Sequence, residues 1–255
     1  MKFTFLGTGT SQGVPVITCT CEVCQSADKK NNRTRTSLMI QSETTTVVID
    51  TGPDFRAQML RENVQDLDAV VFTHGHKDHV AGLDDIRPFN YLLGKTIDVY
   101  AEERVQQVLK REFSYAFEPQ DYLGAPQINL KSIDEIPFVI GDIPFTPVRV
   151  FHKELPVLGF RVGDFTYITD ANFIAEEELE KIKGSKILVL NALRRETHYS
   201  HFNLEQAIEI VNKIKPEQAY FTHISHHLGL HETVEKELPS TMFLAYDGLV
   251  INNYG

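Results

Sequence analysis

The sequence predicts an α/β protein forming one domain over residues 1–255, and three observations lead there. The apolar run Ala69–Phe72 reads as a buried strand; it passes into His74-Gly75-His76-Lys77-Asp78-His79, after which Val80, Leu83 and Ile86 begin a helical pattern. The stretch from Ile128 to Thr169 runs at period two, as half-buried strands do. The last third alternates helix and strand, and no linker, low-complexity segment or solenoid-length repeat divides the chain.

Composition narrows the classes. At 255 residues, 42% hydrophobic and 24% charged, the chain suits a globular protein with a substantial core. No apolar run approaches the ~20 residues of a membrane span, and Met1–Leu6 leads into a glycine turn rather than a signal-peptide core. A cytoplasmic protein with no membrane partner is expected. The net charge of −10 argues against long nucleic acid as a partner, since counterion release needs clustered Lys and Arg. It leaves room for a small phosphorylated substrate, because bound divalent cations reverse the local sign.

The elements follow in order. Lys2–Leu6 is a strand running into Gly7-Thr8-Gly9-Thr10-Ser11-Gln12-Gly13, a tight turn placed to shape the mouth of a pocket. Cys19, Cys21 and Cys24 form C-x-C-x-x-C, three thiolates for a structural Zn²⁺ that wants a fourth ligand, expected to be a histidine. Asp28–Arg35 reads as an exposed polar loop, with Arg33 and Arg35 solvated. Strands follow at Ser37–Gln41 and Thr45–Ile49, the second ending at Asp50, which is read as orienting a ligand histidine rather than binding metal. Phe55–Arg61 is a short helix. Beyond the histidine loop, Asp84, Asp85 and Arg87 read as a solvated or capping face.

Ile97–Ala101 is a strand and Glu103–Phe113 a helix. Ser114–Ala125 has no periodicity, which leaves a loop over the site or a subunit contact, and with it a homodimer, both open. Phe138–Ile140, Phe145–Phe151, Phe160–Val162 and Phe165–Thr169 are strands; His152 closes the second and Asp170 the last. Glu176–Ile182 and Leu204–Ile214 are helices, Ile187–Leu190 and Ala219–Thr222 strands, the latter ending at His223.

A lone His-x-His would read as a polar loop. Three histidines and an aspartate in six residues, with a strand before and a helical pattern after, point instead to two metals about 3.5–4 Å apart. Seven such residues fall at strand ends or a helix start: His74, His76, Asp78, His79, His152, Asp170 and His223.

This order resembles the metallo-β-lactamase superfamily over nearly the whole chain. The resemblance implies an αββα sandwich, two mixed sheets face to face with helices outside. It implies that His74, His76 and His152 hold one metal, Asp78, His79 and His223 the other, and that Asp170 bridges them. Zn²⁺ and Mn²⁺ both suit such ligands. Two such ions lower the pKa of a bridging water and hold it as hydroxide for in-line attack at phosphorus. The C-x-C-x-x-C after Leu6-Gly7-Thr8-Gly9-Thr10-Ser11, with Thr222-His223-Ile224-Ser225-His226 near the C-terminus, resembles more closely the phosphoribosyl cyclic phosphodiesterases of the carbon–phosphorus lyase pathway. That likeness implies His226 as the fourth zinc ligand, with the adjacent His227 the alternative. It also implies His201, in His201-Phe202-Asn203-Leu204, as the general acid. His198 and His231 are read as exposed polar residues, and residues 91–128 carry no family motif. The expected activity is hydrolysis of a small cyclic phosphate ester, such as phosphoribosyl 1,2-cyclic phosphate or a 2′,3′-cyclic nucleotide. The alternatives are an RNA- or DNA-processing nuclease of the same fold and a non-catalytic metal-binding protein.

Overall fold

The computed structural model describes residues 1–118 and 124–252. Two mixed sheets carry the chain. The first has the order β15-β1-β2-β3-β4-β5-β6, made of Val250–Asn252 (β15), Lys2–Gly7 (β1), Ser37–Gln41 (β2), Thr46–Ile49 (β3), Ala69–Val71 (β4), Ile97–Ala101 (β5) and Ile128–Ser132 (β6). The second has the order β11-β8-β9-β10-β12-β13-β14, from Phe173–Ile174 (β11), Ile143–His152 (β8), Leu155–Val162 (β9), Phe165–Tyr167 (β10), Ile187–Asn191 (β12), Gln218–Thr222 (β13) and Met242–Leu244 (β14). A short strand, Phe138–Ile140 (β7), pairs with β8. Each sheet is antiparallel on one side and parallel on the other, with parallel pairing along β3-β4-β5-β6 and along β10-β12-β13-β14.

Alternation explains how the sheets meet. Phe3, Phe5, Leu38, Ile40, Val47 and Ile49 point one way from the first sheet. They pack on Leu158, Phe160, Phe165, Tyr167 and Val189 of the second, with Phe3 and Phe165 stacked at 3.8 Å. The opposite faces are covered by helices. Phe55–Arg61 (α1), Arg87–Leu93 (α3) and Glu103–Glu112 (α4) close the first sheet through Phe55, Met59, Phe89, Val105 and Leu109. Glu176–Ile182 (α6) and Leu204–Ile214 (α7) close the second through Leu179, Ile182, Ala207 and Val211. Helix α7 starts in a capping box: Gln206 N–H donates to Asn203 Oδ1 at 2.9 Å and Asn203 N–H to Gln206 Oε1 at 3.1 Å. The layers are those of the αββα sandwich that the resemblance implies.

Four expectations change. The helical pattern after His79 breaks into a single turn, Lys77–Val80 (α2), a 3₁₀ turn at Leu83–Ile86 and then α3. Gly82 explains the break: it sits against the end of β3, and a Cβ there would lie 2.1 Å from Gly52 O. Arg33 is not solvated. It is 4% exposed and donates to Thr8 Oγ1 and Ala245 O, and its Nη2 lies 3.0 Å from His231 Nδ1. His231 is likewise buried, at the start of a helix, His231–Glu237 (α8). Arg35 is half-buried and pairs with Asp54 at 3.1 Å. Of the stretch left open at Ser114–Ala125, Ser114–Phe117 is a helical turn (α5) and residues 119–123 lie outside the described residues.

Candidate metal centre

The ends of β3, β4, β8, β10 and β13 converge on one edge of the sandwich, where parallel strands present their carboxyl ends. Three of the expected residues there take the left-handed backbone: Asp50 (φ 63°), Asp170 (φ 54°) and His223 (φ 54°). Such a conformation costs an L-residue of order 1 kcal/mol or more, and it persists where its surroundings enforce it. Each one turns a side chain out of its strand's alternation. Asn191, at the end of β12, clamps the backbone beside Asp170: its Oδ1 accepts from Ala171 N–H at 2.8 Å and its Nδ2 donates to Ala171 O at 2.9 Å.

All seven expected ligands come together. His74 Nε2 lies 3.0 Å from His76 Nδ1. His79 Nε2 lies 3.1 Å from Asp170 Oδ2 and 3.3 Å from Asp78 Oδ2. His223 Nε2 lies 3.2 Å from Asp170 Oδ1 and 3.7 Å from Asp78 Oδ2. Asp170 stands in two clusters, one with Asp78, His79 and His223 and one with His152 and His201. His201 Nε2 is 3.1 Å from Asp170 Oδ1, within ligand reach as well as within reach of a reacting group.

The supporting bonds decide which nitrogens face inward. Asp50, fully buried, accepts from His79 Nδ1 at 2.7 Å, from Thr73 N–H at 2.9 Å and from Thr73 Oγ1 at 2.7 Å. Because Thr73 Oγ1 gives its proton to Asp50, it accepts from His74 Nδ1 at 3.0 Å. Ser200 O accepts from His152 Nδ1 at 2.8 Å. In His74, His79 and His152, Nδ1 therefore holds the proton and Nε2 offers its lone pair to the centre, the arrangement that outer hydrogen bonds impose on metal-bound histidines. The buried Nε2 atoms of His79 and His223 lack any hydrogen-bond partner despite the nearby carboxylates. Unpaired buried nitrogens facing ionised oxygens at 3.1–3.7 Å are what a divalent cation would satisfy, and the donor set fits one.

Charge follows the same division. Burial alone would push His79 down, yet Asp170, Asp78 and Asp50 together hold it well above the ordinary histidine value, so these carboxylates call for positive charge at its Nε2, which a divalent cation would supply in place of a second proton. His223 is raised against burial to about 9 by Asp170 and Asp78. Asp170 is held well below the usual carboxylate range, against burial, by His223 and His79. Burial pushes His74 down and His152 to about 4, which keeps these two imidazoles neutral and their lone pairs available; burial pushes His201 down as well, but Asp170 beside its Nε2 opposes the shift and favours a proton there.

The cysteines form a second cluster. Cys19, Cys21 and Cys24 Sγ lie 3.3, 3.3 and 3.5 Å from His226 Nδ1. Near-equal spacing of three sulfurs about one nitrogen matches a tetrahedron with Zn–S of about 2.3 Å and Zn–N of about 2.0 Å, and it is His226, not His227, that faces them. Backbone and His226 hydrogen bonds lower the Cys21 thiol to about 6, while burial raises Cys24 to about 11. The segment carrying His226 also pairs with the loop after β1, through Ile224 N–H to Thr8 O and Thr10 N–H to Ile224 O.

A cavity of roughly 280 Å³ opens on the centre. Thr10 and Ser11 of the glycine loop line it, as do His76, Asp170, His198, Tyr199 and His201. His198, expected to be exposed, is half-buried with Nδ1 3.2 Å from His201 Nδ1. Sequence reasoning passed over Thr73, Ser200, Asn191 and Tyr199. Thr73, directly before His74, was the one with a local signal.

The family model of the beta-lactamase superfamily domain matches residues 45–224, from β3 to just past His223. The chain belongs to the beta-lactamase superfamily. A solved structure described as a new diphosphatase from the PhnP family is 40% identical, with a TM-score of 0.93 over 99% of this chain and 97% of its own. The chain thus has the metallo-β-lactamase fold and resembles that family in sequence and structure. The octanoyltransferase of Porphyromonas gingivalis is 40% identical over 252 residues, 98% of this chain but 51% of that protein, so the chain spans about half the length of this curated relative. Human tRNase Z, short form, shares the fold at 16% identity and a TM-score of 0.71, over 99% of each chain. Among the described residues no helix is long and apolar enough to cross a membrane.

Proposed function

We propose that the chain is a dinuclear metal-dependent phosphohydrolase acting on a small phosphate ester. The observation that carries this reading is Asp170: a carboxylate shared by two clusters of inward-facing imidazoles, beside unpartnered nitrogens of His79 and His223. His74, His76 and His152 would hold one ion, Asp78, His79 and His223 the other, with Asp170 between. Bound there, two divalent ions would activate water and neutralise charge on phosphoryl oxygens.

The protein's own groups supply the rest. Asp50, Thr73 and Ser200 O fix the tautomers of His79, His74 and His152, so the ligands need no rearrangement. His201 protonates the leaving oxygen from Nε2, and Asp170 at 3.1 Å orients that edge. Thr10 and Ser11 offer hydroxyls at the mouth.

A cyclic phosphodiester is the substrate that the sequence suggests. A diphosphate linkage is the second reading, favoured by the diphosphatase at a TM-score of 0.93. Both need attack at phosphorus and a protonated leaving oxygen. The net charge of −10 and a cavity of roughly 280 Å³ weigh against a nuclease acting on long RNA or DNA. Octanoyl transfer names a chain about twice as long as this one. The test is turnover of a 2′,3′-cyclic nucleotide, a ribose 1,2-cyclic phosphate, ADP and a short RNA by protein loaded with Zn²⁺ or Mn²⁺. Hydrolysis of one of the small substrates ahead of the RNA is expected; RNA as the best substrate, or no turnover at all, overturns the reading.

A further inference from the structure

Thr10 and Ser11 line the cavity, as do Leu193, His198 and Tyr199 from the segment between β12 and α7. Tyr199 is 74% exposed, whereas Tyr side chains usually bury most of their ring. Its ring leans on His198, with centroids 4.5 Å apart and planes at 32°, so an imidazole backs one face and the other is open. Inward from it the rings continue as a row. His198 to His201 is 5.1 Å and His201 to His223 is 4.8 Å, and the row ends at the Asp170 carboxylate. Two ring-to-ring steps separate Tyr199 from His201, which stands beside the Asp170 carboxylate.

The platform is held still. Arg194 donates to Thr197 O at 2.9 Å and to Glu196 O at 3.3 Å, closing the loop on itself. Asn172 Nδ2 donates to Tyr199 O at 3.4 Å, and the next carbonyl, Ser200 O, is the one that takes the His152 proton. Tyr199 is therefore tied to the metal-ligand geometry by its own backbone. The nearby guanidiniums are occupied, since Arg194 serves the loop and Arg195 pairs with Glu237 at 2.7 Å. The rim thus offers a flat π surface rather than a cation for a second phosphate. A fixed, open aromatic face is the feature on which bases stack without regard to their hydrogen-bonding edges.

We propose that Tyr199 is a stacking platform for a base, so that the substrate is a nucleoside-bearing phosphate ester or diphosphate rather than a base-free sugar phosphate. This rests on the phosphohydrolase reading and narrows it. The base lies on the open face of Tyr199, the ribose spans His198, and the phosphorus sits beside His201 and Asp170.

The test compares Tyr199→Ala and Tyr199→Phe with wild type, using 2′,3′-cyclic AMP against ribose 1,2-cyclic phosphate. Wild type should favour the nucleotide, and Tyr199→Ala should shrink that preference by about 10–100-fold through KM rather than kcat, with Tyr199→Phe retaining it. Equal KM changes on both substrates, or no change on either, overturn the platform. Equilibrium binding of AMP and ribose 5-phosphate is measured alongside. AMP binding tighter than ribose 5-phosphate in wild type and no tighter in Tyr199→Ala supports the platform even if wild type turns over nothing, a result that would sink only the phosphohydrolase reading. Equal binding of the two by wild type sinks the platform whatever the turnover.

Discussion

Replacing Asp50 by Asn changes one oxygen, and its effect can be worked from three hydrogen bonds. One carboxylate oxygen accepts from Thr73 N–H at 2.9 Å; the other accepts from both Thr73 Oγ1 and His79 Nδ1 at 2.7 Å. An amide has a single acceptor oxygen. If it faces His79, its NH₂ meets the Thr73 N–H; if it faces Thr73 N–H, its NH₂ meets the His79 Nδ1–H. Either way a buried donor is orphaned, at about 1–3 kcal/mol. For a domain of this size that lowers the melting temperature by roughly 2–12 °C. The larger consequence falls on His79, whose Nε2 lone pair is guaranteed only while Nδ1 gives its proton to Asp50. Metal affinity at the centre should fall about 10–100-fold. Competition with a chromophoric chelator measures that, and thermal unfolding of the metal-free proteins measures the stability term. A variant that melts lower yet binds metal as tightly as wild type would refute this role for Asp50 and leave it a packing residue.

Three further predictions follow from the same contacts. His201→Ala should lower kcat about 10²–10⁴-fold on esters with poor leaving groups and far less on nitrophenyl esters, whereas equal losses with missing metal would make His201 a ligand. Cys21→Ser should release one zinc and lower the melting temperature while the folded fraction keeps activity; an unchanged metal count would leave the thiols as side chains only. Burial and Arg33 depress His231 to about 4 from 6.5, so the unfolded chain takes up a proton that the folded one refuses, and stability falls as pH drops from about 6.5 through 4. His231→Gln should weaken that acid sensitivity by roughly 1–3 kcal/mol in urea unfolding at pH 7.5 and pH 4.5, and an unchanged pH dependence would contradict it.

Much of the centre was legible because its residues punctuate apolar strands. Asp170 follows a run of buried side chains, His152 and His223 follow strands that alternate buried with more exposed residues, and His74–His79 crowd into one loop, so the apolar pattern places them at strand ends. The left-handed turns that aim Asp50, Asp170 and His223 are backbone features that Asp and His rarely announce. Arg33 was misread because its neighbours Lys29, Lys30, Asn31 and Asn32 are polar, while its partners Ala245 and His231 lie far along the chain. Strands β14 and β15, at three residues each, are too short to show a period. The broken helix after His79 depends on the contact of Gly82 with Gly52, which no local pattern encodes. His226 was reachable only through the family likeness, since the cysteines and the histidine are 202 or more residues apart.

The most direct test of the account is elemental analysis of wild type and Asp170→Ala, prepared together and assayed on bis(p-nitrophenyl) phosphate. Wild type should carry about three divalent ions per chain, two at the centre and one at the cysteines, and should hydrolyse the diester. Asp170→Ala should keep the cysteine-bound ion, lose the other two and lose turnover. A variant with the full complement of metal and wild-type activity would contradict the shared role of Asp170 and, with it, the dinuclear centre.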